Sequence, residues 1–245
     1  MVAPSYLRRR GQATKAQKRA LRELWPTYGI DLATRSHVNA RAPLNCTRTF
    51  GRDAPLILDV GHGHGESIVA LSRTFPTCNI LGCEVHVPSI GATLLRLDEE
   101  GLPNVKLVRA DVFELLTTYV GVVSACFCGF PDPFPGASPS SLARKLIRPA
   151  FADLVAARYV PFAETLPPVS IATDDGAYAA HARVVFDKAG WTELEVTNRP
   201  EQRPPWRPIS KYERKAIDAS RVVWDLGFAP SYVRRHSLIP HPDCR

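Results

Sequence analysis

The sequence predicts an α/β fold whose mostly parallel sheet is covered by helices on both faces, and three observations carry that expectation. Strand-like apolar runs alternate with helical runs from Leu56 onward, the order that wraps a parallel sheet in helices. At 245 residues with 45% hydrophobic content, the chain can fill one large core. The first strand runs straight into a glycine loop, "DVGHGHGES", the usual way an α/β sheet opens a ligand site at its strand ends.

The elements follow in order. Residues 1 to about 14 read as a disordered basic arm, after which Thr14 is expected to cap a helix, "KAQKRALRELW", closed by Pro26. Residues 31–53 lack periodicity and read as a loop-rich connection. Four strands are expected in "LILDV", "NILGCEV", "VKLVRA" and "VVSACFCGF", separated by helices in "ESIVALSRTF", "IGATLLRLDEE" and "VFELLTTYV". A helix over roughly 142–158, a strand "VSIATD", a helix over roughly 175–189 and strands "WTELEVT" and "VVWDLGF" complete seven strands. The expected organisation is an arm, helix and connection over 1–53, the main domain over 54–228 and a basic tail over 229–245.

Charge divides the chain in the same way. Residues 1–50 carry ten Lys and Arg against two acids, residues 51–198 eleven against seventeen, and residues 199–245 ten against five. A mildly acidic body between two basic ends suits a polyanion held at the ends, which points to nucleic acid. "MVAPSYLRRR" has no apolar stretch before its arginines, and no apolar run approaches the ~18 residues of a membrane span, so no secretory signal and no membrane segment are expected. The six cysteines form no CxxC pair and no zinc spacing, and Cys126 and Cys128 read as small core residues of one strand face. A reduced, cytoplasmic setting follows.

The chemistry is expected at the strand ends. Asp59 precedes the loop of Gly61, Gly63 and Gly65, whose GxGxG spacing differs from the GxGxxG of dinucleotide sites. Glu84 lies 23 residues after Gly61, where an acid commonly takes ribose hydroxyls. Asp111 ends the third strand, where an adenine amino group would lie, and Asp132 ends the fourth between two prolines in "FPDP". Four carboxylates and no phosphate-binding lysine would repel a nucleotide but suit a nucleoside bearing a cationic group. S-adenosylmethionine fits that description, and Asp59 beside the glycines argues against NAD(P). His62 and His64 invite a metal reading, but a third ligand at metal spacing is missing, so they are expected to face solvent or cofactor.

The run "LDVGHGHGESIVAL…NILGCEVHVPSIGATL…VRADVFELL…GFPDPFP", with "ATDDGAYAAHA", "RPISKYERKAIDASRVVWDLGF" and "RRGQATKAQKRALRELW", resembles the tRNA (guanine-N7)-methyltransferases over roughly residues 9–228. The resemblance implies a class I methyltransferase (Rossmann-like) fold that uses S-adenosylmethionine to methylate a guanine of the tRNA variable loop at N7. By position it assigns cofactor contacts to Asp59, Gly61, Glu84, Asp111 and Asp132, with Gly63 in the same loop. It assigns substrate contacts to Asp174, Ser210, Lys211, Tyr212 and Glu213. The residues alone read "SKYERKA" as a helix start capped by Ser210, with Glu213 closing a capping box. Asp132 is the first candidate for the carboxylate facing the purine, Asp174 the second. The resemblance implies tRNA as partner and a monomer or homodimer, with a WD-repeat subunit in eukaryotic members. Where the family carries a dense basic run after its PDP motif, this chain has Phe134 and "PGASPSSLARK", with Gly136 in the place of a substrate-binding lysine. Arg8 to Arg10, Lys15, Lys18, Arg19, Arg203, Arg207, Lys211, Arg214 and Lys215 could compensate. That departure keeps two other readings open: the same chemistry on another RNA or a nucleoside, or a non-catalytic RNA-binding subunit.

Overall fold

A computed structural model describes residues 11–32, 43–136, 138–162, 166–194 and 202–231. The expected basic arm through residue 10, half of the 31–53 connection, the end of "WTELEVT" and the tail after residue 231 lie outside the described residues.

Helix α1 (Lys15–Glu23) starts as the sequence predicts: the Thr14 hydroxyl accepts from Gln17 N (3.2 Å) while the Gln17 side chain accepts from Thr14 N (2.8 Å), a reciprocal capping box. It ends before Pro26, however. Pro26 sits in the first turn of α2 (Trp25–Tyr28), where its missing N–H loses no helix bond, so it opens a second short helix instead of only closing the first. A two-residue strand, β1 (Gly29–Ile30), follows, too short for any hydrophobic period to register. Next come α3 (Cys46–Phe50), β2 (Leu56–Val60), α4 (Glu66–Thr74), β3 (Asn79–Glu84), α5 (Val87–Glu100) and β4 (Val105–Arg109). The short α6 (Val112–Glu114) runs on as a π-helical turn over Leu115–Tyr119 before β5 (Ala125–Gly129).

The helix expected over 142–158 is instead two, α7 (Pro139–Arg144) and α8 (Pro149–Ala156). Pro149 excludes Arg148 from helical geometry, and Arg148 is extended at φ −149° and ψ 164°. Tertiary bonds hold the break open: Lys145 Nζ donates to Pro133 O (2.7 Å) and Ile147 N to Tyr178 Oη (3.1 Å). The chain closes with β6 (Val169–Thr173), α9 (Gly176–Lys188), β7 (Trp191–Glu193), α10 (Lys211–Asp218) and β8 (Trp224–Pro230).

The strands form one sheet in the order β1-β4-β3-β2-β5-β6-β8-β7, parallel except that β8 runs antiparallel to β6 and β7. Seven strands match the expected ones, and β1 adds an eighth at the edge beside β4. Alternate residues feed two cores, one on each face: Leu58, Cys126, Cys128 and Val169 on one, Ile57, Ile68, Ile80 and Phe127 on the other. Cys126 and Cys128 are fully buried core residues. Strand order reverses at β2, between β3 and β5, which places a crevice at the carboxyl ends of those strands.

Gly82 in β3 shows how tightly α4 lies on the sheet, since a methyl group there would sit 2.4 Å from Ile68 Cδ1 and 2.8 Å from both His62 Cδ2 and Leu107 Cδ2. Gly82→Ala should therefore destabilise the fold by ~1–3 kcal/mol, the usual cost of overpacking. Urea titration measures it; an unchanged midpoint would mean that these neighbours yield freely.

Candidate cofactor and substrate site

The crevice begins where β2 ends. Gly61 has φ +69°, and a Cβ added to it would meet nothing within 4 Å, so the left-handed backbone alone calls for glycine there. Glu84, at the end of β3, is fixed by main chain: Oε1 accepts from Val85 N (2.7 Å) and His86 N (2.9 Å), and Oε2 from Gly63 N (3.2 Å). Asp111 caps α6, accepting from Phe113 N at 2.8 Å. Asp132 lies beyond β5 in a segment flanked by two strained residues, Phe130 (φ 52°) and Phe134 (φ 41°), positive values that non-glycine residues rarely adopt. The bond from Lys145 to Pro133 O pins the same segment.

These residues meet in one cleft. Gly61, Gly63, Glu84, Asp111 and Asp132 line it, and its described lining holds no lysine or arginine. A second, smaller cavity shares Gly61, Gly63, Gly129, Phe130 and Tyr212 with the first, so the two are neighbouring compartments along the glycine loop. Asp59 lines the second cavity, not the first. It is 1% exposed; Oδ2 accepts from Ser67 Oγ at 2.5 Å, and Oδ1 is buried with no hydrogen-bond partner. Burial pushes its pKa up to about 7; the Ser67 bond opposes the shift and the Glu84 charge adds to it. A cation placed against Oδ1 would relieve that cost.

The two loop histidines both line the second cavity but are held differently. His62 is buried (4% exposed) against β3, with Nδ1 3.1 Å from Thr93 Oγ1, and desolvation lowers its pKa. Its ring packs on β3 and forms part of the wall of the second cavity. Among the described residues, no group of three or more His, Cys, Asp or Glu is placed to hold a metal ion. His64 is half-buried, and its Nε2 lies 2.9 Å from Lys211 Nζ.

Helix α10 carries the other predicted residues to this crevice. Ser210 caps it, accepting from Glu213 N at 3.2 Å, but Glu213 does not complete the expected box. Its carboxylate turns inward, 3% exposed, to a close bond from Arg207 Nη1 and a 3.2 Å bond from Arg207 Nη2, which also donates to Asp225 Oδ2 on β8 (2.8 Å). A buried guanidinium offers the carboxylate two charged N–H donors where a box offers one backbone N–H. Glu213 therefore anchors the helix, and Arg207 is not available to a phosphate. Tyr212 lies in the shared wall with its ring 6.3 Å from that of Phe130 at 25°. Asp174 stands apart from both cavities, paired with Arg221 at 2.8 Å.

A family model described as "Putative methyltransferase" matches residues 53–226. The tRNA (guanine-N(7)-)-methyltransferase of Nitrosococcus oceani is 38% identical over 230 residues, 93% of this chain and 90% of that one. The enzyme of the same name from Methylococcus capsulatus is 35% identical over 93% of this chain and 94% of that one. This chain belongs to the tRNA (guanine-N(7)-)-methyltransferase family. A solved antibiotic-related methyltransferase, 14% identical, superposes with a TM-score of 0.51 over 77% of this chain and 96% of that one, a likeness of fold alone.

Measured against the family pattern, the loop after Phe134 gains little from the two cations that follow it. Lys145 is 7% exposed and spent on Pro133 O, while Arg144 stacks over the Phe134 ring at 4.6 Å. Both brace the segment that carries Asp132. Sequence reasoning missed this bracing, although the "FPDP" spacing and the basic pair 11 and 12 residues after Pro133 were visible. It named Arg207 only as a cation for RNA and did not anticipate its bonds to Glu213 and Asp225.

Proposed function

We propose that the protein transfers a methyl group to N7 of a guanine in the tRNA variable loop, with S-adenosylmethionine as donor. The observation that carries this reading is the cleft at the switch point, walled by Glu84, Asp111 and Asp132 with no lysine or arginine in its described lining. Glu84 suits the ribose hydroxyls, since main-chain donors fix its carboxylate, and Asp111 suits the adenine amine. The unpartnered Oδ1 of Asp59 suits the ammonium end. The donor, when bound, supplies an electrophilic methyl group.

What remains for the chain is positioning. Guanine N7 has a lone pair and no proton, so no general base is required, and alignment of the reacting atoms carries most of the rate. Asp132 can accept from guanine N1–H and the exocyclic amine, and its charge opposes the positive charge that develops on the ring. Phe130 and Tyr212 offer the base a stacking wall between the two compartments. Ser210 fixes the start of α10 and thereby the direction of Lys211 and Tyr212. Asp174, paired with Arg221 outside both cavities, is the second candidate for that carboxylate on the family resemblance alone.

Basic side chains outside the crevice suit the tRNA backbone. α1 lies on α5, with Gln17 against Gly91, and leaves Lys15, Lys18 and Arg19 exposed. Removing all three should flatten the salt dependence of tRNA affinity by about two to three units of log–log slope. Filter binding from low to moderate salt measures it, and an unchanged slope would place the RNA elsewhere. We place the enzyme in the cytoplasm as a monomer or homodimer. No described helix is long and apolar enough to cross a membrane.

The test of the activity is incubation with unmodified tRNA and labelled S-adenosylmethionine, then reduction and aniline treatment, which cuts at N7-methylguanine. A single labelled cut in the variable loop is expected. Label without that cut would move the chemistry to another atom or another RNA, and binding without label would favour a non-catalytic subunit.

A further inference from the structure

His64 lies between two glycines of the cofactor loop, and the proposed reaction gives it no role. Its Nε2 is 2.9 Å from Lys211 Nζ, a contact spanning 147 residues of sequence. A lysine ammonium has three donors and no acceptor, so Nε2 must accept, which requires a neutral imidazole with its proton on Nδ1. The loop around it is tied down, since His64 O accepts from Arg96 Nε at 3.2 Å. We propose that His64 is a positioning residue: by accepting from Lys211 it joins the first turn of α10, with its substrate-side residues, to the glycine loop of the cofactor cleft. The inference rests on the tRNA methyltransferase reading given above.

Four observations support it. Lys211 Nζ also lies 5.0 Å from the centroid of the Tyr212 ring, so the same contact sets the place of the stacking wall. A Cβ at Gly63, next to His64, would lie 3.9 Å from Tyr212 Cε2, so the loop and the helix already touch there. The groups facing His64 are Lys211 from α10, Glu66 from α4, Arg96 from α5, and His86 and His62, while Arg214 of α10 reaches Glu66 beside them. Glu66 is the acid among them, and it is already shared between Arg96 (3.9 Å) and Arg214 (3.7 Å), so a protonated His64 would find mostly like charge.

The sign of the pH effect follows. Desolvation, then Lys211, hold the His64 pKa below its ordinary 6.5, so folding favours the neutral ring. The contact is complete above 6.5 and is lost as pH falls through the lowered value, when the ring takes a proton and turns from acceptor to donor.

His64→Gln keeps an acceptor that does not titrate, whereas His64→Leu keeps bulk without one. The expected result for His64→Leu is a KM for tRNA raised roughly 3- to 10-fold at pH 7.5, the loss of one charge-assisted bond at a half-buried site, with kcat at saturation little changed. His64→Gln should restore KM and abolish the part of its rise on acidification that the wild type shows. An unchanged KM in His64→Leu, or a wild-type acid limb in His64→Gln, would overturn the proposal. A readout independent of any substrate separates this failure from failure of the functional reading. In the free protein, the His64 imidazole NMR titration should move to higher pH in Lys211→Met, and no movement would also overturn the proposal.

Discussion

Asp132→Asn should yield a folded protein that still binds S-adenosylhomocysteine, with methyl transfer slower by about 10²–10³-fold, the usual loss when one preorganised electrostatic group is removed from a reacting centre. The substitution keeps the shape and both flanking prolines, so it isolates the charge. Two donors of the guanine edge would meet an amide that can accept at only one atom, and the ring's developing positive charge would have no carboxylate beside it. Phe130 and Phe134 hold left-handed backbone on either side, at a cost of order 1–3 kcal/mol each. Lys145 and Arg144 are committed to the same segment. Such strain persists only where surrounding contacts over-determine it, and here they converge on one carboxylate. The check is single-turnover transfer to tRNA beside circular dichroism and cofactor affinity. A kcat within threefold of wild type would remove Asp132 from the step, and a larger loss in Asp174→Asn would exchange their roles.

The parts of this site that could be read from sequence are those written in short range. The alternation of strand and helix, the glycine loop and the acids at successive strand ends each depend on a few adjacent residues. The structure brings Glu84, Asp111 and Asp132 into one cleft as expected. The parts not legible depend on where distant side chains turn. Glu213 read as a cap because Ser210 stands three residues before it, but the bidentate guanidinium of Arg207 competes for the same carboxylate and prevails. His62 read as a loop residue facing solvent or cofactor; it does line the second cavity, but the missing side chain of Gly82 also leaves the space on β3 that its ring fills, a fit no local pattern shows. The break between α7 and α8 was half visible: Pro149 marks it, whereas the bonds from Lys145 and Ile147 that stabilise it reach 12 and 31 residues away. Charge counts failed in the same manner. Arg207 was counted as a cation that could meet RNA, and it is buried and bonded inside the protein.

Arg207→Met should destabilise the fold as much as truncating a buried aromatic side chain would. The Arg207 side chain is 2% exposed, and it neutralises two carboxylates that belong to different elements, Glu213 on α10 and Asp225 on β8. Removing one partner of a buried pair leaves the other charge uncompensated and costs about 3–5 kcal/mol, against a total stability of about 5–15 kcal/mol. Here two carboxylates would be left facing each other, with Arg203, 3.5 Å from Glu213, the one cation among the described residues paired with either. The system can lower that cost by releasing α10, which would carry Ser210, Lys211 and Tyr212 away from the glycine loop. Two measurements separate the outcomes. If α10 stays docked, the urea midpoint falls with an unchanged slope and tRNA KM holds. If α10 is released, part of the stability loss is avoided, hydrogen exchange speeds up over residues 211–218, and tRNA KM rises while S-adenosylhomocysteine still binds. The companion Arg207→Met/Glu213→Leu change removes one of the stranded charges and should recover part of the loss. A double variant no better than the single one would mean that Asp225, not Glu213, is the partner whose burial Arg207 makes tolerable.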